Sequence, residues 1–158
     1  MVTFTEKLSG YLAAAAALTW PSGQTIDSLT DNEWTDLTDE LDNSTNKYVS
    51  VDLYIDLASA AFTGADAGIE AYLVPSVDGT NYPAWTGNAT ADAQENQIHR
   101  AGFAPIKAAT AACKMVLRDI DLPPGKYKWG FRNRGNVTTA ASGNTISWRP
   151  HSRIATDA

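Results

Sequence analysis

Residues 48–57, YVSVDLYIDL, decide the fold class of this chain. Every second side chain is apolar: Val49, Val51, Leu53, Ile55 and Leu57. Alternation over a stretch of this length is typical of a strand with one face on the core and the other face in water. The stretch therefore predicts a half-buried strand in an antiparallel sheet.

After residue 47 the chain repeats short strand-like stretches between turn signals. The predicted strands are residues 69–74, 98–106, 113–122, 126–133 and 145–149. An Asp-Gly pair at 78–79 and Pro-Pro-Gly at 123–125 mark turns, and Pro150 is expected to end the last strand. Four aromatic side chains are expected to face the core: Tyr127, Trp129, Phe131 and Trp148. Strands of this spacing without a long helix predict an all-β protein, a single antiparallel β-sandwich of jelly-roll or immunoglobulin-like type.

The sequence divides into three parts. Residues 1–46 are predicted as an extended N-terminal arm with an acidic loop, 47–150 as the sandwich, and 151–158 as a loosely held C-terminal tail. Within the arm, the alanine-rich run 12–18 favours a short helix. A short strand is expected around residues 34–37.

Composition limits the class of protein. The chain has 158 residues, which suits one domain. Leu, Ile, Val and Phe make up only 30 of them, so the aliphatic core is thin and the five Trp and six Tyr must add to it. A single cysteine, Cys113, allows no internal disulfide. With no apolar run of about 20 residues, the sequence predicts a soluble protein made in a reducing cytoplasm, without a membrane partner.

Charge is divided unevenly along the chain. The net charge is −6, but residues 1–99 carry 15 acidic and two basic side chains, whereas residues 100–158 carry three acidic and ten basic ones. The pI near 4.7 argues against direct nucleic-acid binding. Two interpretations stay open: the acidic arm pairs with basic surface on a neighbouring molecule, or the two parts neutralise each other within one monomer. The first predicts attachment that weakens as ionic strength rises.

No catalytic or metal-binding pattern is found in the sequence. The two histidines, His99 and His151, have no second His or Cys at a metal-ligand spacing and are expected at surface or half-buried positions. Asp52 and Asp56 share a strand face, but about 13 Å of strand rise is too far for a glycosidase pair. The acidic residues of 31–42 lack the EF-hand pattern. The sequence therefore predicts a non-enzymatic protein without cofactor or metal.

Aromatic and charged side chains outside the predicted core are candidates for contact with a partner. Tyr82 and Trp85 lie in a polar loop and are expected to be exposed, and such rings are favoured anchors at interfaces. The candidate partner contacts are Trp34, Asp36, Asp39, Tyr82, Trp85, Arg132 and Arg134.

Three stretches resemble small virion structural proteins of tailed bacteriophages. They are DNSTNK at 42–47, AYLVPSVDGTNYP at 71–83, and the segment from LPPGKY at 122–127 through ASGNT at 141–145. The resemblance covers about residues 42–150 and implies a structural role with no active site. We expect a capsid decoration (cement) protein on the virion surface that binds across major capsid subunits and stabilises the shell. A homotrimer is expected.

Two alternatives stay open at this point. Within the same class, the chain is a tail or head–tail connector component that binds another virion protein. From a different class, it is a carbohydrate-binding β-sandwich that recognises a host glycan by stacking Trp85 and Tyr82 on sugar rings.

Overall fold

The computed structural model describes residues 14–59, 61–62, 66–87, 99–106 and 111–151, and the backbone of 4–8 and 153–157. Ten strands are present in these residues: β1 (Phe4–Leu8), β2 (Ala16–Ala17), β3 (Leu41–Asp42), β4 (Ser50–Leu57), β5 (Gly68–Pro75), β6 (His99–Pro105), β7 (Cys113–Asp121), β8 (Lys126–Asn133), β9 (Thr145–His151) and β10 (Arg153–Asp157). The described residues contain no helix that could cross a membrane. The all-β prediction is confirmed.

The strands pair as one long, nested hairpin. β5 pairs with β6, β4 with β7, β3 with β8, β2 with β9 and β1 with β10, all antiparallel. Two further pairings, β4 with β9 and β5 with β8, roll this hairpin into two four-stranded sheets of order β2-β9-β4-β7 and β3-β8-β5-β6. A double sheet made from a rolled hairpin is a jelly roll, so the topology selects the first of the two predicted sandwich types.

The core lies between the two sheets, where the period-two pattern predicted it. The alternate apolar residues of β4, from Val51 to Leu57, are buried. From the opposite sheet, Tyr127, Trp129 and Phe131 are also buried, as predicted, and Trp148 is half-buried against the same cluster. Strand β8 has the predicted bounds.

The alanine run forms strand instead of the predicted helix where the structure describes it. Ala16 and Ala17 pair with Trp148 and Ser147 of β9, while residues 12 and 13 lie outside the described residues. An alanine helix of two turns is marginal in water. Pairing with the edge of β9 gives hydrogen-bond partners to backbone groups that would otherwise have none. This tertiary pairing therefore outweighs the helix propensity of the alanine run.

Pro150 lies inside β9 instead of ending it. The Ile146 carbonyl accepts a hydrogen bond from the Leu18 N–H at 2.8 Å, and backbone alternation turns the Pro150 nitrogen to that same side. Strand β2 begins at Ala16, opposite Trp148, so its pairing stops short of Pro150. A proline fits here because no ladder hydrogen bond needs its missing N–H.

The two chain ends are paired with each other. The C-terminal tail was predicted to be loosely held, but β9 continues to His151 and the backbone of β10 pairs with β1, Phe4 opposite Asp157. Among the described strands, β1 and β10 pair only with each other. They therefore form a two-stranded ribbon separate from the two sheets.

The predicted arm supplies buried side chains to the sandwich. Leu18, Ile26 and Leu29 belong to the core cluster. Two buried polar side chains hold this segment in place: the Asn133 amide donates to the Leu29 carbonyl at 2.8 Å, and the Thr139 hydroxyl donates to the Ile26 carbonyl at 2.6 Å. Residues 18–43 thus cover the sandwich, and the burial extends a core that is short of aliphatic side chains.

Two threonines extend the short strand β3 along β8. The Thr38 N–H donates to the Trp129 carbonyl and the Trp129 N–H donates to the Thr38 hydroxyl, both at 2.9 Å. The same exchange joins Thr35 and Phe131, at 2.9 and 3.0 Å. Each buried hydroxyl accepts the hydrogen bond that a backbone carbonyl would accept in a regular pair of strands. The backbone N–H groups at this edge of β8 are therefore hydrogen-bonded although the partner segment is irregular.

We expect Thr38→Val to lower the free energy of unfolding by about 1–3 kcal/mol, because the buried Trp129 N–H loses its acceptor. Equilibrium urea unfolding measures the change. Thr145→Val, at an exposed position of β9, is the matched control and should stay within about 0.5 kcal/mol of the native chain. Equal effects in the two variants would show that the Thr38 hydroxyl is not a required acceptor.

Candidate functional site

Five of the seven predicted partner contacts lie on the outer face of the β3-β8-β5-β6 sheet or at its rim. Strand alternation turns Arg132 of β8, and Glu70 and Tyr72 of β5, away from the core. These side chains are nevertheless buried, with 3%, 7% and 2% exposure. They are covered by a second layer of side chains that includes Trp34 and Trp85, so both faces of this sheet are packed.

Trp34 lies at the centre of this layer. It forms a bridge with Arg132, whose guanidinium carbon lies 5.1 Å from the Trp34 ring centroid. The ring centroid lies 4.7 Å from that of Tyr72, and 5.3 Å from that of Trp85 in an edge-on arrangement. Trp34 is fully buried, and its Nε1 has no hydrogen-bond partner among the described residues.

Trp85 is fixed over a glycine of β8. Its Nε1–H donates to the Thr35 carbonyl at 2.7 Å. A Cβ atom on Gly130 would stand 2.2 Å from the Trp85 ring, far inside contact distance. The ring therefore requires glycine at position 130, and it is half-buried where the sequence predicted an exposed side chain.

A buried carboxylate is neutralised at the edge of the layer. One oxygen of Glu70 lies 3.0 Å from the Arg100 guanidinium, and the other accepts a hydrogen bond from the Tyr72 hydroxyl at 2.9 Å. A buried charge needs such partners to offset the loss of water. Sequence reasoning missed these three residues because their positions on neighbouring strands depend on the β5·β6 register.

Tyr82 belongs to a separate charged group at the rim. Its hydroxyl donates to Glu40 at 2.7 Å, Lys126 pairs with Glu40 at 2.8 Å, and the Lys128 ammonium lies 4.9 Å from the Tyr82 ring centroid. Burial, together with the nearby Glu40 carboxylate, raises the pKa of Tyr82. The hydrogen bond from Lys126 lowers the pKa of Glu40, and Glu40 in turn raises the pKa of Lys126.

The acid-rich stretch acts as a set of internal hydrogen-bond acceptors. Asp36 accepts from the backbone N–H of Gln24 at 2.6 Å and of Gly87 at 3.2 Å. Four other carboxylates of this stretch accept bonds from side chains or backbone amides: Asp27, Asp31, Asp39 and Asp42. The donors in these contacts are uncharged, so they fix the segment without neutralising its charge. The Glu40–Lys126 ion pair does join the acidic and the basic part within the monomer.

The structure brings five of the seven candidates to this face: Trp34, Asp36, Tyr82, Trp85 and Arg132. Asp39 is exposed and accepts a hydrogen bond from the Thr19 hydroxyl. Arg134 is exposed just beyond β8, where its backbone pairs with Gly68. The five clustered residues hold the 18–43 segment and the loop near residue 85 against the sheet.

Comparison with models of protein families finds no match for the chain, and comparison with curated proteins finds no match either. The function must therefore be argued from the residues and their arrangement.

We expect Gly130→Ala to displace the Trp85 ring and to lower the free energy of unfolding by about 1–3 kcal/mol, because the new methyl group overpacks the layer. Urea unfolding and tryptophan fluorescence measure the two effects. Gly102→Ala is the control, since a Cβ there would lie at an ordinary 3.4 Å from Leu117. When Trp85 is already replaced by alanine, Gly130→Ala should lower the free energy of unfolding by much less. An unchanged cost would contradict the assigned contact.

We expect Glu40→Gln to shift the ionisation of Tyr82 to lower pH, because the negative charge of Glu40 that raises its pKa is removed while burial remains. Phenolate absorbance followed through an alkaline titration measures this, against an ordinary tyrosine pKa of about 10. Asp39→Asn is the control, and its titration should match that of the native chain. Identical curves for all three proteins would contradict the hydrogen bond between Tyr82 and Glu40.

Proposed function

We propose that this chain is a non-enzymatic structural protein of a tailed-phage virion, a decoration protein that attaches across major capsid subunits and stabilises the shell. The observation that carries the proposal is that parts of the three resembling stretches, separate in sequence, meet at one end of the sandwich: 42–47, the end of 71–83, and 122–127. Residues 141–145 lie at the other end, beside the end of β4. Asn43 donates to the Pro123 carbonyl at 3.2 Å, and the Ser76 N–H donates to the Lys126 carbonyl at 2.8 Å. These contacts join the three stretches to one another at that end.

An apolar groove lies at this same end. Its volume is about 480 Å³, and it is lined by Val49, Leu73, Pro75, His99, Asp121, Leu122 and Pro123. Leu73 and Pro75 belong to the 71–83 stretch that resembles phage virion proteins, and Leu122 and Pro123 belong to the 122–127 stretch. Val49 is 41% exposed, and Val77 at the adjacent turn is 75% exposed. Exposed apolar surface of this kind favours a protein partner, and we assign the groove to a segment of the major capsid protein.

The terminal ribbon gives a second reason to expect a partner. An isolated pair of strands is marginally stable in water, and both of its edges offer unpaired backbone groups. β1 and β10 are such a pair among the described strands. A neighbouring molecule, either the capsid protein or another copy in the proposed homotrimer, would stabilise it by adding a strand.

The test uses capsids, lacking this protein, of the phage that encodes it. We expect the purified chain to bind them in a fixed copy number and to delay their disruption by heat. Val49→Lys should weaken binding at least about tenfold, because a charge is placed in the groove. Val116→Lys is the matched control: Val116 is 40% exposed on the outer face of the other sheet.

Two outcomes would overturn the proposed function, and a third would overturn only the assignment of the groove. Electron microscopy that places the chain only at the tail tube or portal favours the tail or connector alternative. A glycan-array signal abolished by Trp85→Ala, without capsid binding, favours the carbohydrate-binding alternative. Capsid binding weakened equally by the two valine variants removes the groove from the attachment surface.

A further inference from the structure

A β-bulge in the β2-β9-β4-β7 sheet brings together side chains that are distant in sequence. The β4·β7 register shifts between Val51 and Leu53, so that Asp52 faces two residues of β7, Arg118 and Asp119. Asp119 has a left-handed backbone with φ of 52°, and its N–H donates to an Asp52 carboxylate oxygen at 3.0 Å. Bulges of this type redirect side chains and are common beside functional sites.

The neighbouring strand adds a histidine. His151 of β9 lies opposite Ser50, and its Nε2 lies 3.1 Å from Oδ1 of Asp52. One ligand atom from each of Asp52, Asp119 and His151 lies within 4.8 Å of the other two. The three side chains come from three adjacent strands, so one ion bound between them would link β7, β4 and β9.

Burial separates this group from an ordinary surface cluster of acids. Asp52 is 1% exposed although alternation places it on the outer face of β4. His151 is half-buried and Asp119 is exposed. Two basic residues also lie opposite Asp52 by register, Arg149 on β9 and Arg118 on β7. The arrangement presents a buried carboxylate, an imidazole and a second carboxylate that opens to solvent.

We propose that Asp52, Asp119 and His151 form a binding site for a divalent transition-metal ion. One imidazole nitrogen with two carboxylate oxygens suits Zn²⁺, Mn²⁺ or Co²⁺, whereas Ca²⁺ and Mg²⁺ prefer oxygen ligands alone. Ligands about 2.0–2.2 Å from one ion lie at most about 4.4 Å apart. The 3.1 Å between His151 Nε2 and Asp52 Oδ1 fits two ligands of one ion. The exposed Asp119 would supply the third ligand and water would complete the coordination.

The sequence predicted no metal site because it contains no short ligand motif. Residues 52, 119 and 151 lie on three separate strands, and only the bulge and the β4·β9 register place their ligand atoms together. The proposal does not rest on the capsid function, since none of its three residues lines the groove.

The experiment measures metal binding to the full, untagged chain in metal-free buffer. Calorimetric titration with Zn²⁺, and Co²⁺ absorption in the visible range, should report one ion per chain. Thermal unfolding should shift to higher temperature with Zn²⁺, since an ion that binds only the folded state stabilises it. Ca²⁺ and Mg²⁺ should give no comparable shift.

Ligand variants test the assignment. His151→Gln and Asp119→Asn should each weaken Zn²⁺ binding by at least about tenfold. Asp119→Asn is the more informative variant, because asparagine tolerates the left-handed backbone and the residue is exposed, so the fold is kept. His99→Gln and Asp56→Asn are the matched controls and should bind as the native chain does.

The proposal is overturned if the folded native chain binds none of the three transition-metal ions at millimolar concentration. It is also overturned if binding survives both Asp119→Asn and His151→Gln, or is lost equally in His99→Gln. In each of these cases, Asp52 and His151 are a structural ion pair and not metal ligands.

Discussion

The pairing of β4 with β9 and of β5 with β8 is the constraint on which the rest of the molecule depends. Without these two contacts the chain is one long hairpin with a single exposed apolar face. With them, the apolar face of β4 is buried against the aromatic face of β8. The hydrophobic free energy of that contact compensates for the entropy of closing loops that join distant parts of the chain.

Placing β8 and β5 inside a sheet creates a second requirement. Their outer faces carry Arg132, Glu70 and Tyr72, which are buried and therefore need partners within the protein. The 18–43 segment and the loop near Trp85 cover them, and internal hydrogen bonds to acidic side chains keep this cover in place. The acid-rich stretch therefore contributes hydrogen bonds that hold the fold together.

The sequence predictions succeeded where a strand follows a local pattern and failed where pairing between distant residues decided the structure. Strands with strict alternation, such as β4 and β8, were located correctly because their pattern is local. Predictions that depended on local propensity alone were wrong: the alanine run pairs with β9, and Pro150 continues a strand whose open side needs no N–H. Trp85 was expected to be exposed, but Gly130 leaves space for its ring.

The sequence by itself determined an all-β sandwich, most of its strands and the aromatic part of its core. It could do so because the alternation of buried and exposed side chains along a strand is a pattern of consecutive residues. Only the tertiary structure decided the jelly-roll topology, the cover over Arg132 and the meeting of Asp52, Asp119 and His151. These features depend on strand order and register between residues far apart in the chain. A shift of one residue in the register between two strands would turn every side chain of one strand to the opposite face. The residues of a single strand do not specify that register.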